Sequence, residues 1–278
     1  MTRKARMPLL QVLIGVVIKE AKITFRYVGS LLTVMALPFM VGGLFTGIGY
    51  AVGGPNAPAN FARNTGVENP LLYMVLGGVL MMASLVMVES TSSTIRSEQL
   101  IGTFELHYLT PNNTAALWLL HALATSILTL TVFSIDMAAI LVWYGSLLSP
   151  LDWLIAVFIM LLSVLPLAGI GLVIAAVTIR FKEVNAIANV VNAFIAVLSG
   201  FYYPLEVFPR LVQIIAEALP TSHAAELLRS LVSGQLDVPL ESKLLVMSLL
   251  AFAYLALGKV VYSRWEYEAR RKGELSKY

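Results

Sequence analysis

The chain has 278 residues, 58% of them hydrophobic and only 13% charged, with a mean hydropathy of +0.82. A soluble domain carries about 25% charged residues, so this composition excludes an ordinary water-exposed globule and points to the bilayer, where apolar side chains need no burial against one another. The net charge is only +3, and the absence of cysteine excludes disulfides and thiolate metal sites.

The chain opens like a signal peptide, with Arg3, Lys4 and Arg6 before the apolar run Leu9 to Ile18. No small-residue cleavage site follows; "KEAKITFR" does. Ile14, Ile18, Ala21, Phe25 and Val28 recur at steps of four and three, and Lys19, Lys22 and Arg26 group on another side. This pattern predicts an interfacial helix on the inner leaflet, basic face toward lipid phosphates. The alternative is an extension of the first span.

A bilayer-spanning helix needs roughly 20 apolar residues. Six candidates follow: Leu31 to Val52, Leu71 to Glu89, Leu117 to Tyr144, Trp153 to Ile179, Ala186 to Tyr202 and Leu244 to Tyr262. The third and fourth are long enough to tilt, and the fifth is short. Pro166 is expected to kink the fourth, because proline removes a helical hydrogen bond. "GLFTG" and "GYAVG", Gly43 to Gly47 and Gly49 to Gly53, are G-x-x-x-G patterns that predict close helix packing.

Between the second and third spans lies "IRSEQLIGTFELHYLTPNN", Ile95 to Asn113. Leu100, Phe104 and Tyr108 would share one helical face, and Pro111 would end the helix. Two readings stand at this point: a surface helix docked in a partner's groove, or a solvated loop helix. The fifth span carries Asn185, Asn189, Asn192 and Ser199 at steps of four, three and seven, one polar stripe. Amides in hydrocarbon must meet another helix or a wet cavity, so the stripe is either pathway or interhelical bonding. Asp136 is the one acid well inside an apolar run, a candidate for transport or for structural pairing. The segment from Pro204 to Gly234 is too broken to span; Val207, Leu211, Ile214, Ile215 and Ala218 form a stripe that two short helices would bury in the outer leaflet.

Six spans place both termini on one side. That side carries Arg3, Lys4, Arg6, Lys19, Lys22, Arg26, Arg96, Arg180, Lys182, Lys259, Arg264, Arg270, Arg271, Lys272 and Lys277, against Arg63, Arg210, Arg229 and Lys243 on the other. The positive-inside rule then puts both termini in the cytoplasm. The same asymmetry explains the basic pI, so no nucleic-acid partner is expected. There is no G-x-x-x-x-G-K-[ST], no H-E-x-x-H and no G-x-S-x-G, hence no expected ATP site, metal site or catalytic residue.

"RSEQLIGTFELHYLTP" resembles the first cytoplasmic loop of the type-two ABC exporter permeases, with Glu98, Gly102, Thr103, Glu105, Leu109, Thr110 and Pro111 at matching positions. "LSGFYYPLEVFPRLVQIIAEALPTSHAAELLRSLVSG", Leu198 to Gly234, resembles that family's C-terminal signature through Pro204, Pro209, Pro220, Arg229 and Gly234. The resemblance implies an all-α polytopic membrane protein of six transmembrane helices, with a cytoplasmic coupling helix at 95–111 and an extracellular re-entrant helix pair at 204–234. Residues 1–30 would form a cytoplasmic tail and interfacial helix, 31–262 the transmembrane domain, and 263–278 a basic cytoplasmic tail.

The resemblance also implies a transport subunit of an ATP-driven exporter in the plasma (inner) membrane, and no enzyme activity of its own. ATP and Mg would bind two copies of a separate ABC ATPase. A second permease copy, or a homologue, would complete the pathway. Coupling is implied for Arg96, Glu98, Leu100, Gly102, Thr103, Phe104, Glu105, Tyr108, Thr110 and Pro111. Pathway candidates are Asn185, Asn189, Asn192, Ser199 and Asp136; outer-gate candidates are Pro204, Glu206, Pro209, Pro220 and Arg229. A mostly apolar pathway favours a lipid, a lipid-linked glycan or an amphipathic drug as substrate. The alternative function is an ATP-independent channel or secondary carrier, which would carry inverted repeats and midplane charges.

Overall fold

A computed structural model of the protein describes residues 9–65, 67–103, 106, 114–145, 148–181, 184–234 and 239–272. All regular structure among them is helical. The chain is an all-α polytopic membrane protein. The helices are α1 (Leu9–Arg26), α2 (Val28–Gly53), α3 (Ala57–Thr65), α4 (Pro70–Ile101), α5 (Thr114–Trp143), α6 (Pro150–Val164), α7 (Leu167–Phe181), α8 (Val184–Leu198), α9 (Arg210–Glu217), α10 (Pro220–Ser233) and α11 (Leu240–Lys272). Among the described residues, five stretches are long and apolar enough to cross a membrane: Val28–Thr65, Pro70–Ile101, Ala116–Trp143, Pro150–Val177 and Leu240–Lys272. The fifth expected span is the shorter apolar helix α8, of 15 residues.

Local chemistry explains the boundaries. Pro70, Pro150 and Pro220 each occupy a first-turn position, where a missing N–H costs nothing. The Ser149 side chain accepts from the Asp152 amide at 3.2 Å, capping α6. The expected kink at Pro166 is a full break: α6 stops at Val164 and α7 restarts at Leu167. The Gly169 amide then donates to the Pro166 carbonyl at 2.9 Å. Tyr27, at φ −110° and ψ 56°, separates α1 from α2, so the first helix is not an extension of the first span.

α4 is the hub. It packs against α2, α5, α7, α8 and α10, and its buried face includes Val75, Leu76, Val79, Leu80, Ala83 and Met87. α11 lies along α7, and α1 lies along α5. The α7–α11 crossing is close enough that a Cβ added at Gly258 would come within 2.5 Å of the Gly169 carbonyl oxygen. Of the G-x-x-x-G glycines expected to pack, Gly43, Gly47 and Gly49 face open space among the described residues, and Gly53 makes only a local approach, to Ala57 at the start of α3. In the first span Gly42 makes the close approach instead, where a Cβ would stand 2.9 Å from Val75.

Two sequence expectations are corrected at the basic end of the molecule. Residues 95–101 are not a separate helix but the last two turns of α4. Residues 263–272 are not a tail: α11 runs through them, burying Glu266 and Ala269. There Glu266 accepts from Thr114 at 2.5 Å and pairs with Arg270, while Trp118 donates to the Tyr262 hydroxyl at 2.8 Å. These bonds lock the start of α5 to the end of α11.

Candidate coupling, pathway and gate sites

At the end of α4 the chain closes a Schellman turn. Gly102 adopts the left-handed conformation at φ 79°, and its amide donates to the Gln99 carbonyl at 3.1 Å. The Thr103 amide donates to the Glu98 carbonyl at 3.0 Å, which satisfies carbonyls that a helix end otherwise leaves open. The Thr103 hydroxyl also bonds the Glu98 carboxylate. The helix ends at Ile101 and the chain turns at Gly102; whether the Leu100 face continues through Phe104 and Tyr108, as the sequence pattern expects, falls on residues outside those described. Past the turn, the Leu106 amide reaches the Thr103 carbonyl at 3.0 Å. Phe104, Glu105, Tyr108, Thr110 and Pro111 lie outside the described residues.

Glu98 also receives Lys19 of α1 at 3.0 Å. Glu20 stands 3.9 Å from His121 of α5, whose other ring nitrogen lies 3.0 Å from the Thr94 hydroxyl of α4. Lys19 therefore points into a junction of α1, α4 and α5, not toward lipid phosphates with Lys22 and Arg26 as the sequence pattern suggests. Arg96 is half-buried, and Ile95 belongs to the apolar cluster with Trp118 and Tyr262. Leu100 and Ile101 are each 72% exposed, an apolar tip at the end of the hub helix.

The polar stripe of α8 divides. Asn185 and Asn189 are exposed, in company with exposed Val190, Phe194 and Val197. Asn192 is half-buried, and its side-chain oxygen has no partner among the described residues. Ser199 is buried and bonded to the Thr221 hydroxyl of α10 at 2.5 Å, which makes it a packing residue. Asp136 is 2% exposed on the core face of α5 with Phe133, Met137 and Ile140. Its Oδ2 meets no donor among the described residues, so the expected pairing with a base or hydroxyl is not made at that oxygen.

The segment after α8 forms the expected helix pair. Pro204 starts a short turn over Leu205–Val207, Pro209 precedes α9, and Pro220 opens α10. On α9, Leu211, Ile214 and Ile215 are exposed, so nothing among the described residues covers the apolar stripe. α10 packs instead against α6 and α4. Arg229 of α10 turns inward. It donates to the Gly200 carbonyl at 3.0 Å and to the Phe201 carbonyl, and stacks 3.5 Å over the Tyr73 ring of α4. Gly77 makes room for this clamp: a Cβ there would fall 1.6 Å from the Phe201 carbonyl oxygen. Sequence reasoning placed Arg229 in the gate but missed Tyr73 and Gly77, which carry no signal in a single sequence. Beside the clamp lies a cavity of about 320 Å³, with Glu206, Glu226 and Ser222 in its wall. Glu226 pairs with Lys243, and Ser222 is spent on the Ala216 and Leu219 carbonyls.

A bundle of membrane-length helices with a capped, apolar-tipped hub helix at one end and a proline-bracketed helix pair toward the other defines a polytopic membrane protein. The chain belongs to the ABC-2 type transporter family, which matches residues 10–232. It is a membrane permease subunit of an ABC transporter, and the family associates with an ABC ATPase. A comparison with curated proteins found no match.

Proposed function

We propose that this permease works in an ATP-driven exporter, with two permease copies (or one and a homologue) above two copies of an ABC ATPase that bind ATP and Mg. The observation that carries the reading is the exposed amide face of α8. In a membrane, an amide left against lipid costs several kcal/mol. Asn185 and Asn189 stand open on a single chain. A second permease chain or a wet pathway between the two satisfies them. The proposed substrate is a lipid, a lipid-linked glycan or an amphipathic drug-like molecule, in keeping with the apolar residues around those amides.

The chain sits in the plasma (inner) membrane with both termini cytoplasmic, as the distribution of basic residues favours. The α4 tip and the following loop, including Phe104, Glu105, Tyr108, Thr110 and Pro111, then reach the ATPase. The α9–α10 pair forms the outer gate.

Co-purification with the ATPase and substrate-stimulated ATP hydrolysis test the proposal. Phe104→Ala weakens assembly, since an aromatic anchor is typically worth about 2 kcal/mol or more, and Glu105→Lys lowers stimulation through charge reversal. Asn189→Leu abolishes transport while ATPase binding persists. Full assembly, stimulation and transport in all three variants would sink the proposal.

A further inference from the structure

A second cavity, of about 460 Å³, lies between α1, α2, α4 and α5. Its size is that of a small-molecule site, roughly 300–1,000 Å³. No residue of α8 lines it, so it is separate from the asparagine face. Its wall changes character along its length. Glu20 of the wall stands 3.9 Å from His121, and His121 meets Thr94 at 3.0 Å, so the carboxylate lies where α4 and α5 are joined. Leading away from that joint, the wall passes along α4 from Ser90 to Val86 and along α5 from Thr125 to Val132 and Phe133. From Thr125 to Phe133 is roughly 12 Å by the helical rise. One end of the cavity is therefore polar and the other apolar.

The chemistry of the polar end selects the occupant. Glu20 is the only charged residue in the wall among the described residues. Lys19 stands 3.7 Å from its carboxylate and reaches Glu98 instead, at 3.0 Å. His121, at 3.9 Å, is also beyond hydrogen-bond reach. The Thr125 hydroxyl has no partner among the described residues, and neither has that of Thr129, a residue only 6% exposed. A carboxylate only accepts, and a hydroxyl can accept as well as donate. The wall thus offers a negative charge with unused acceptor sites, no cation to receive an anionic head, and an apolar floor.

We propose that this cavity binds an amphipathic organic amine, its protonated nitrogen donating to Glu20 and its hydrocarbon body lying along Leu128, Val132 and Phe133. A charge-assisted bond holds the head, and burial of apolar surface holds the body. A phospholipid with an ammonium head suits the site less well, because its phosphate would meet Glu20 with no cation in the wall beside it. The inference deepens the export reading by selecting amines among amphipathic cargo. It rests on that reading for the ligand's fate, whereas binding needs this chain alone.

The test uses the full chain, without ATPase, in phosphatidylcholine nanodiscs. Three probes share one diazirine-bearing dodecyl chain and differ only in the head: dodecylamine, dodecanol and dodecanoate. Light-induced cross-links are mapped by mass spectrometry and normalised to the exposed face of α11. The amine labels residues 23–27 and 128–133 well above dodecanoate. Glu20→Gln keeps the side-chain shape; it lowers amine labelling there about tenfold and leaves dodecanol labelling unchanged, a split that loosened packing would not give. Thr129→Val lowers amine labelling about threefold. Leu128→Trp fills the slot and lowers labelling by amine and alcohol alike. Because no ATPase is present, these outcomes are distinct from a failure of assembly or stimulated hydrolysis, which bears on export. Equal labelling by amine and carboxylate, or amine labelling unchanged in Glu20→Gln, overturns the assignment. So does loss of amine labelling when phosphatidylethanolamine replaces phosphatidylcholine, which would make a lipid the occupant. Wild-type labelling no higher in these segments than on α11 overturns the site.

Discussion

Arg229 joins three parts of the chain through one side chain: the carbonyls that follow α8, the ring of Tyr73 on α4, and its own helix α10. Its guanidinium stays charged and offers several fixed donors, so two adjacent carbonyls suit it better than they would suit lysine. Arg229→Met leaves both carbonyls without that donor, at roughly 1–3 kcal/mol for each that stays buried. The expected result is a clear fall in the thermal midpoint in detergent, with membrane insertion retained. Gly77→Ala acts on the same clamp by collision with backbone, and overpacking of this kind costs typically 1–3 kcal/mol or more. A thermal scan in which Gly77→Ala matches the wild type would show that the close approach is absent. Asp136 makes the opposite case. An oxygen buried without a donor is a cost, so Asp136→Leu should raise the midpoint, by roughly 1–3 kcal/mol in stability. If the midpoint falls instead, the carboxylate has a partner outside this chain.

Elements inherit these constraints. α4 is 32 residues long because nothing in its sequence stops it between Pro70 and Gly102: the polar turn after Glu89 is rich in Ser and Thr, whose hydroxyls bond back to carbonyls of the same helix. It stops where glycine supplies a left-handed residue. Gly102→Ala places a Cβ in that conformation, a penalty of about 1–2 kcal/mol, whereas Gly102→Asn tolerates it. Alanine should loosen the turn and reduce ATPase assembly in a pull-down; asparagine should not. Equal binding by both would separate the turn from coupling. The α1 junction is weaker: the Lys19 and Glu98 pair is partly exposed, and such pairs are worth about 1 kcal/mol at most. Its contribution lies in aligning α1 against α4 and α5.

At the scale of the molecule, the packing of the other helices around a hub leaves α2, α8 and α11 with open apolar faces, such as Leu32, Met40 and Leu44 on α2 and Leu245, Leu249 and Phe252 on α11. Lipid covers such faces at no cost, but it does not cover the amides of α8. Single cysteines test the orientation: those at Asn60 and Gln235 should react with an impermeant reagent added outside intact cells, and one at Asn113 should not. Reaction at Asn113 from outside would invert the chain and remove the α4 tip from the cytoplasm.

Five of the six spans, a helix ahead of the first of them, an irregularity at Pro166 and the proline-bracketed pair were legible from sequence, because each rests on a rule that acts along the chain. Hydrocarbon thickness sets helix length, the missing proline N–H ends a helix, and periodicity marks a face. The family resemblance was carried by short motifs of the same linear kind. The partners of individual polar residues were not legible. Lys19 and Glu98 stand 79 residues apart, Arg229 and Gly200 29, and Ser199 and Thr221 22. The glycines misled for the same reason: G-x-x-x-G marks a surface that permits close approach, and only the packing of α4 and α11 decided that Gly77, Gly169 and Gly258 are the ones used. The sequence by itself determined that this is a helical membrane protein, since the bilayer imposes length and polarity locally, and its motifs carried the resemblance to a permease family. Tertiary structure alone decided which polar groups are spent holding helices together and which stay open, since that depends on which faces meet.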